Sequence, residues 1–496
     1  MIAPAPAAGP VTAAELPGQD FLEEYRLLPR ARAGGRLVVA CAGRPDPQAV
    51  AELEVMFGLP VALEPAAEAE LMEEIRRTCG QPTAATLAAD LEGDAPAGGM
   101  DADLVAHDLE AAANQAPVVR LVNLLLAEAL EAGASDVHLE AEPRRVRVRY
   151  RVDGVLQEAP SPPAHLRAAV VSRLKIMAEL DIAERRLPQD GRVRLRTEGR
   201  ELDVRVSTLP TLHGESVVLR LLDVEGQRIG LDAMGMAADT LAALLGFAAR
   251  PHGVLLATGP TGSGKTTTLY ALLDRIRTGR EKIVSVEDPV EYELAGVAQV
   301  PVHPRVGLTF ARALRSILRQ DPDVLLVGEM RDPETAEICI QAALTGHLVV
   351  STLHTNDAPG ALTRLIDLDV PDYLVSSTVA AVLAQRLVRK VCSACARDVA
   401  PEPPVAREMA EAGFPAGRVR RGGGCPACRG TGYRGRTGIY ELLSVDDALR
   451  AELLRAPGAD SLRRIALERG MRPLRADGWR QVQAGVTTPE EVLRVA

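Results

Sequence analysis

The chain has 496 residues, enough for three or four domains and at least one large hydrophobic core. Hydrophobic residues make up 47% of it and charged residues 25%, which is typical of soluble globular proteins. The net charge of −10 is uneven, because residues 1–116 hold 7 Lys and Arg against 19 Asp and Glu. The lack of a basic stripe argues against a nucleic-acid binder, and the acidic N-terminal part faces either a basic partner or only solvent.

Cysteine usage and the first residues predict a cytoplasmic protein. The seven cysteines are an odd number, and the N-terminus lacks a signal-peptide pattern. The most apolar long segment, 373–388, contains Ser, Thr, Gln and Arg, so we expect an amphipathic helix there and no membrane span. Any association with a membrane is expected to be peripheral, through partner proteins and without insertion of this chain.

Residues 1–79 are predicted to form a small α/β module. The expected elements are a strand at 36–42, a helix at 48–58, a strand at 60–64 and a helix at 66–78. Residues 80–115 are rich in Ala, Gly, Asp and Pro without a sustained period, which indicates a linker with a loose helix at 102–113 as an alternative.

An α+β domain is predicted over residues 116–230. It opens with an amphipathic helix at 116–134 and holds a second helix at 164–180. Alternating apolar and polar residues predict a mostly antiparallel sheet from ASDVHLE, RRVRVRYRVDG, GRVRLRT, RELDVRVSTL and SVVLRLLD. Arginines occupy its exposed strand positions, including Arg205 and Arg220.

The pattern changes over residues 231–390, where short apolar runs alternate with helices. The runs VLLAT, IVSVED, VLLVGE and LVVSTL suit parallel strands covered on both faces. The first is followed by GPTGSGKTTTLY and then a helix, the context that supports a phosphate-binding P-loop. The residues expected to bind ATP there are Gly259, Pro260, Thr261, Gly262, Ser263, Gly264, Lys265, Thr266 and Thr267. Lys265 would contact the β- and γ-phosphates, and the Thr266 hydroxyl would bind Mg²⁺.

Acidic residues end two of the later strands. Glu287 follows IVSV, and Glu329 follows VLLV after Gly328. Because carboxyl ends of parallel strands meet at the phosphate crevice, either carboxylate could act on Mg²⁺ or on the attacking water. Gly328 is expected to remove a side chain where the backbone nears the phosphates.

Two CxxC pairs, Cys392-x2-Cys395 and Cys425-x2-Cys428, are separated by 29 residues. In a cytoplasmic chain they predict a closed, structural Cys₄ zinc site. A small helix-containing insertion is expected between the pairs. Free thiols or a redox pair are the alternative.

The motifs together resemble the ATPases of type II secretion and type IV pilus assembly. The resemblance rests on the P-loop, SVEDPVEY, LRSILRQDPDVLLVGEMRDPETAE and TGHLVVSTLHTNDA, and it covers residues 116–496. It implies a homohexameric ATPase with a RecA-like domain, a PAS-like domain before it and nucleotide bound between the two. Rotation between these domains is implied to move an inner-membrane platform protein that adds pilin subunits to a filament.

The resemblance also implies roles for individual residues. Glu329 ends the family's second acidic motif, and Glu287 is carried over from the first. His347 and His354 fall in a histidine box, as γ-phosphate sensors, interdomain bridges or structural histidines. The implied arginines are Arg205, Arg220, Arg315 and Arg319 near the γ-phosphate and Arg436 at a subunit contact. Arg315 and Arg319, four residues apart on one predicted helix, are expected to share a face.

The leading hypothesis is a type II secretion ATPase whose N-terminal module docks on the cytoplasmic domain of a membrane-anchored secretion protein. A type IV pilus extension ATPase, an ATP-binding scaffold with little turnover and a DNA translocase are the alternatives. The predicted order is 1–79 docking module, 80–115 linker, 116–230 PAS-like domain, 231–390 RecA-like core, 391–438 zinc subdomain and 439–496 C-terminal helical region.

Overall fold

The computed structural model describes residues 9–11, 16–17, 19–79, 83–93, 106–197, 200–223, 229–415 and 417–496. Their strands form four sheets, of four, six, seven and two strands. The predicted α/β fold class is confirmed, with a mainly parallel sheet in the domain that carries the P-loop. Within these ranges, no helix combines the length and hydropathy needed to cross a membrane.

The N-terminal module has the predicted alternation of strands and helices, with three further elements in front. Its elements are β1 (Gly9–Pro10), α1 (Gln19–Tyr25), β2 (Leu27–Ala33), β3 (Arg36–Cys41), α2 (Pro47–Phe57), β4 (Val61–Pro65) and α3 (Glu68–Cys79). Asp46 caps α2 by accepting a hydrogen bond from the Gln48 N–H at 2.7 Å. Leu37, Leu53, Leu71 and Ile75 are fully buried, so the module has its own core on both faces of the sheet.

The stretch predicted as a linker contains helices, and one of them falls within 102–113, the range of the alternative helix. Two helices, α4 (Ala84–Gly93) and α5 (Ala106–Ala113), lie in this stretch, while residues 80–82 and 94–105 are outside the described ranges. Ala84 and Leu109 are buried against the second domain, and the Ala84 N–H donates to Glu128 at 2.7 Å. Short Ala-rich helices give little periodic signal, and their burial against a neighbouring domain is a tertiary effect.

The second domain is an antiparallel sheet covered by helices, as predicted. Its remaining elements are α6 (Ala116–Glu131), β5 (Ala134–Ala141), β6 (Val146–Val152), β7 (Val155–Glu158), α7 (Arg167–Met177), β8 (Gln189–Thr197), β9 (Arg200–Thr211) and β10 (Gly214–Asp223). The sheet order is β7-β6-β5-β10-β9-β8. Inward residues such as Val137, Val148 and Val217 form the core with Leu121 and Leu174 from the two long helices.

The P-loop domain is built on a seven-stranded sheet. It contains α8 (Ala238–Ala248), β11 (Gly253–Thr258), α9 (Lys265–Ile276), β12 (Ile283–Glu287), β13 (Val297–Pro301), α10 (Phe310–Ile317), β14 (Val324–Val327), α11 (Pro333–Leu344), β15 (Leu348–Leu353), α12 (Pro359–Asp367), α13 (Asp372–Thr378) and β16 (Val379–Val391). Every residue of β11, β12, β14 and β15 is buried, which explains their unbroken apolar runs.

The prediction of an amphipathic helix over 373–388 is wrong. Only α13 is helical there, and the chain then runs as β16 between β11 and the final strand. Residues 379–386 are all buried because both faces of the sheet are covered. Without alternation, a strand buried on both faces cannot be distinguished from a helix by periodicity.

The C-terminal part closes the same sheet. It contains β17 (Ala396–Val399), α14 (Pro403–Glu411), β18 (Val419–Gly422), β19 (Tyr433–Ser444), α15 (Asp447–Arg455), α16 (Ala459–Glu468), α17 (Leu474–Gln483) and α18 (Pro489–Val495). The sheet order is β13-β12-β14-β15-β11-β16-β19, and β19 is antiparallel to β16. The predicted boundary at residue 438 therefore falls inside β19, and α14 is the helix expected between the cysteine pairs.

Candidate nucleotide site and cysteine cluster

The P-loop lies between β11 and α9, at the carboxyl end of a central strand. Lys265 is the first residue of α9 and is only 8% exposed. Its Nζ donates to the carbonyl oxygens of Gly259 at 2.7 Å and Pro260 at 3.1 Å. Burial lowers the Lys265 pKa to about 8, although the nearby charge of Glu329 raises it.

Glu329 lies just past the end of β14 and faces the same crevice. Its side chain is 13% exposed, and its Oε2 is 2.5 Å from Nε of Arg331 and 3.4 Å from Nε2 of His354. Of the acids around the P-loop, Glu329 is the one whose charge acts on Lys265. The P-loop lysine and this carboxylate are therefore close enough for their opposite charges to interact in the crevice where the phosphates are expected.

Gly328 has a different neighbour from the one expected. A Cβ on this residue would lie 3.3 Å from the carbonyl oxygen of Val286 and 3.4 Å from Cα of Glu287. The Gly328 N–H also donates to the Val286 carbonyl at 2.8 Å. The glycine therefore permits close approach of the end of β14 to β12, which sets where Glu329 leaves the sheet.

The carboxylate of Glu287 is buried, and its hydrogen-bond partners are polar side chains outside the P-loop. It accepts hydrogen bonds from the hydroxyls of Tyr270 and of Ser285, the latter at 2.5 Å, and from Nε2 of Gln299 at 3.3 Å. Burial and the charge of Glu287 raise the pKa of Tyr270. These contacts place the carboxylate in a buried hydrogen-bond network, and its expected role on Mg²⁺ or water stays a prediction.

Glu291, four residues further on, was missed by the sequence analysis. Its Oε2 lies 3.3 Å from Nη2 of Arg205 on β9 of the second domain. Arg205 and Arg220 are direct cross-strand neighbours on β9 and β10, and Nε of Arg220 donates to Asp136 at 3.0 Å. The predicted arginine pair therefore lies on the sheet face that meets the P-loop domain. The second glutamate of SVEDPVEY was the available signal.

Arg315 and Arg319 do not share a helical face in the structure. Arg315 is on α10 and pairs with Glu334 at 2.5 Å, while Arg319 lies beyond the end of the helix. Arg319 donates to the carbonyl oxygen of Arg315 at 2.7 Å and to Ser316 at 3.4 Å. Within the part of the chain that the structure describes, the contacts of both guanidinium groups are with α10, the turn after it and α11, and not with the P-loop. Their predicted role at the γ-phosphate stays a prediction.

The two histidines lie at opposite ends of β15. His354 follows the strand and is beside Glu329, whereas His347 precedes it and shares a hydrogen bond between Nδ1 and the Ala342 carbonyl at 2.8 Å. Six strand residues separate them by roughly 20 Å. Burial and the charge of Lys265 lower the His354 pKa, although Glu329 opposes them, and the lowered pKa favours the neutral imidazole. Only His354 is placed to contact nucleotide.

The four predicted cysteines come together as one cluster, with all four sulfur atoms within 4.8 Å of one another. The Sγ–Sγ distances are 3.9 Å for Cys392–Cys425, 3.8 Å for Cys395–Cys428 and 3.7 Å for Cys425–Cys428. A tetrahedral zinc ion with Zn–S bonds of about 2.3 Å requires sulfur atoms roughly 3.8 Å apart. The donor set therefore fits a tetrahedral zinc ion in both chemistry and size.

Backbone N–H groups also point at the cluster. Cys428 Sγ accepts from the N–H of Cys425 at 3.1 Å and of Gly432 at 3.2 Å. Burial opposes ionisation of Cys428, but these donors outweigh it and lower the pKa to about 6. A Cβ on Gly422 would lie 2.0 Å from the Gly432 carbonyl oxygen, so only glycine allows the two loops to cross here.

Beside the cluster, β19 contacts the second domain. The Gly435 N–H donates to Asp153 Oδ2 at 2.8 Å, and Nε of Arg436 lies 3.5 Å from Asp153 Oδ1. Asp153 is in the turn between β6 and β7. Within one chain, Arg436 therefore joins two domains, and its implied subunit contact stays a prediction.

Comparisons with known proteins agree with these motifs. Residues 111–494 match the family model described as Type II/IV secretion system protein. The Type II secretion system protein E of Xanthomonas campestris pv. campestris is 48% identical over 487 residues, which are 96% of this chain and 84% of that protein. The Type IV pilus assembly ATPase PilB of Myxococcus xanthus is 42% identical over 483 residues, covering 96% and 85% of the two chains.

A solved structure gives the same fold. The ATPase DotB of Legionella pneumophila aligns with a TM-score of 0.57 at 20% identity, over 76% of this chain and 95% of that chain. At this identity the likeness concerns the fold alone. The family match and the curated relatives carry the assignment: the chain belongs to the Type II/IV secretion system protein family of ATPases.

Proposed function

We propose that this chain binds ATP and Mg²⁺ at its P-loop and, as a homohexamer, powers type II secretion by driving assembly of a pseudopilus. The observation that carries the proposal is the buried P-loop Lys265, held by the Gly259 and Pro260 carbonyls, with the Glu329 carboxylate near enough for its charge to act on it. Residues 259–267 would hold the phosphates, and Thr266 would bind Mg²⁺. ATP hydrolysis supplies the free energy for movement between domains.

Glu329 is the proposed catalytic carboxylate, acting on Mg²⁺ or on the attacking water. His354 supports it as a neutral neighbour that can share a hydrogen bond with the carboxylate. Arg205 and Arg220 lie on the face of the second domain that meets the P-loop domain, which supports their proposed part in nucleotide-dependent closure. Burial between the two domains would exclude water from the reacting phosphates.

We propose Zn²⁺ as the resident ion of the cysteine cluster. The sulfur distances support a closed site with four ligands and hence a structural role. The proposed partners are the cytoplasmic domain of a membrane-anchored secretion protein, bound by residues 1–79, and an inner-membrane platform protein. In this proposal the chain is cytoplasmic and peripheral at the inner membrane, with no nucleic acid and no membrane insertion.

The proposal is tested on hexamers formed by fusion to a hexameric carrier protein. We expect the wild-type hexamer to hydrolyse ATP, and Lys265→Ala and Glu329→Gln to reduce turnover at least about a hundredfold. Glu337→Gln, on the exposed side of α11, is the matched control and should keep full turnover. Equal turnover in the wild type and both site variants would refute the assignment. Tight nucleotide binding without turnover in the wild-type hexamer would favour the scaffold alternative.

Pilus extension is the second candidate, because the chain is 42% identical to a pilus assembly ATPase. The higher identity of 48% to a type II secretion protein E favours secretion. The neighbouring genes distinguish them: pseudopilins and an outer-membrane secretin support secretion, whereas pilins and a retraction ATPase support pili. ATPase stimulation by DNA would instead support a translocase.

A further inference from the structure

A buried arginine on β16 lies against the P-loop and is outside the sequence motifs of the nucleotide site. Arg386 is only 8% exposed. Its Nη1 donates to the Gln385 carbonyl at 3.1 Å, and its Nη2 donates to the Asn356 carbonyl at 2.7 Å. Burial lowers its pKa, but an arginine remains charged in proteins.

The guanidinium lies beside the first glycine of the phosphate loop. A Cβ built on Gly259 would lie 3.1 Å from Nη1 of Arg386. The carbonyl oxygen of the same glycine accepts the hydrogen bond of Lys265. Two buried cations therefore flank Gly259, and Arg386 is among the charges that lower the Lys265 pKa, after burial.

The charge of Arg386 is not neutralised by a direct carboxylate contact within the described part of the chain. The acids that act on it from a distance are Glu441 and Asp357. Asp357 is already paired with Arg463, and Glu441 accepts the N–H groups of Ala358 at 2.8 Å and Leu474 at 3.3 Å. A buried, unpaired positive charge is costly unless an anion shares the site.

We propose that Arg386 is a second positive charge of the phosphate site, which stabilises bound nucleotide in proportion to the negative charge of its phosphates. It acts through its charge from a position beside Gly259, where the Gln385 and Asn356 carbonyl oxygens hold the guanidinium, and it affects nucleotide affinity more than the chemical step. This inference rests on the proposed nucleotide site. An interaction that stabilises the ground state and the transition state equally changes KM and leaves kcat nearly constant.

The experiment measures dissociation constants of ADP and AMP, with Mg²⁺, for the full chain by calorimetry. For Arg386→Gln and Arg386→Met we expect ADP affinity to fall at least about tenfold and AMP affinity less than about threefold, because the lost charge acts on more phosphate charge in ADP. Arg386→Lys should retain most of the ADP affinity. The methionine variant keeps an unbranched apolar stem and removes the charge.

Arg389→Gln is the matched control, since Arg389 lies on the same strand but pairs with Glu491 at 2.6 Å. It should leave ADP affinity unchanged, and thermal midpoints without nucleotide should report any general loss of stability. ADP affinity of both Arg386 variants within twofold of the wild type would overturn the inference, as would equal weakening of ADP and AMP. A wild-type chain that binds no ADP would instead overturn the proposed nucleotide site.

Discussion

The cysteine cluster and the nucleotide site lie in the same half of the chain but are assembled in different ways. Each of two short loops supplies two cysteine ligands to the cluster. The nucleotide site takes residues from the ends of β11, β14 and β15 and from within β16, strands that are distant in sequence and adjacent in the sheet. Local spacing is therefore enough to define the cluster, while strand order decides which polar residues reach the nucleotide.

The largest effect is expected at the cluster. Cys428→Ser should remove the bound zinc and lower the free energy of unfolding of the subdomain by more than about 4 kcal/mol, because binding of structural zinc stabilises the fold. Metal analysis and thermal unfolding check this. Cys41→Ala, a buried cysteine of the N-terminal module, is the control and should keep one zinc per chain. An undiminished zinc content in Cys428→Ser would contradict the four-cysteine site.

The next effect tests whether Glu287 belongs to the core or to the nucleotide site. Glu287→Ala should lower the free energy of unfolding by about 2–3 kcal/mol, because the buried Tyr270 and Ser285 hydroxyls lose their acceptor. Glu287→Gln retains an acceptor and should cost less. Thermal unfolding and ADP binding are measured together. Lost ADP affinity with unchanged stability would place Glu287 in the nucleotide site after all.

A smaller effect is expected from pH. With the Lys265 pKa at about 8 in the free chain and the bound lysine charged, ADP affinity should fall about eightfold between pH 7.5 and pH 9. Affinity falls as the pH rises because the free Lys265 is then mostly neutral and must take up a proton when ADP binds. Titrations above pH 7.5 avoid protonation of the phosphates, which ends near pH 6. Lys265→Met should remove the dependence, and an unchanged wild-type affinity at pH 9 would contradict the lowered pKa.

The smallest effect is expected at the surface pair Arg315–Glu334. Both side chains are about half exposed, so Arg315→Ala should change the free energy of unfolding by less than about 0.5 kcal/mol. ADP affinity of the monomer should be unchanged, because the guanidinium contacts α11 and not the P-loop. Chemical denaturation and calorimetry check both. A tenfold loss of monomer affinity would show that Arg315 reaches the nucleotide within one chain.

The main elements of the fold could be predicted because their signals are local. Unbroken apolar runs identified β11, β12, β14 and β15, and alternation identified the strands of the second domain. The errors arose where burial is set by distant contacts. β16 was taken for a helix because both of its faces are covered, and α4 was taken for a linker because its packing depends on the second domain. The helix given as an alternative over 102–113 contains α5.

At the candidate site, the P-loop and the four cysteines follow from their spacing alone. The positions of Glu287 and His347 could not be predicted in this way, because strand order and strand direction decide which strand-end residues lie near the P-loop. The position of Arg386 at the site could not be predicted either, because its strand, β16, was predicted as a helix.

The sequence by itself determined the phosphate-binding loop, the cysteine ligand set and the family, because each is encoded by residues close together in the chain. Only the tertiary structure decided that His354 lies beside Glu329 and that the charge of Glu329 acts on Lys265. It also decided that Glu287 is buried beside Tyr270 and that Arg386 lies against Gly259. The physical reason is strand order: parallel strands distant in sequence bring their ends together, and burial in that crevice sets which charges act on one another.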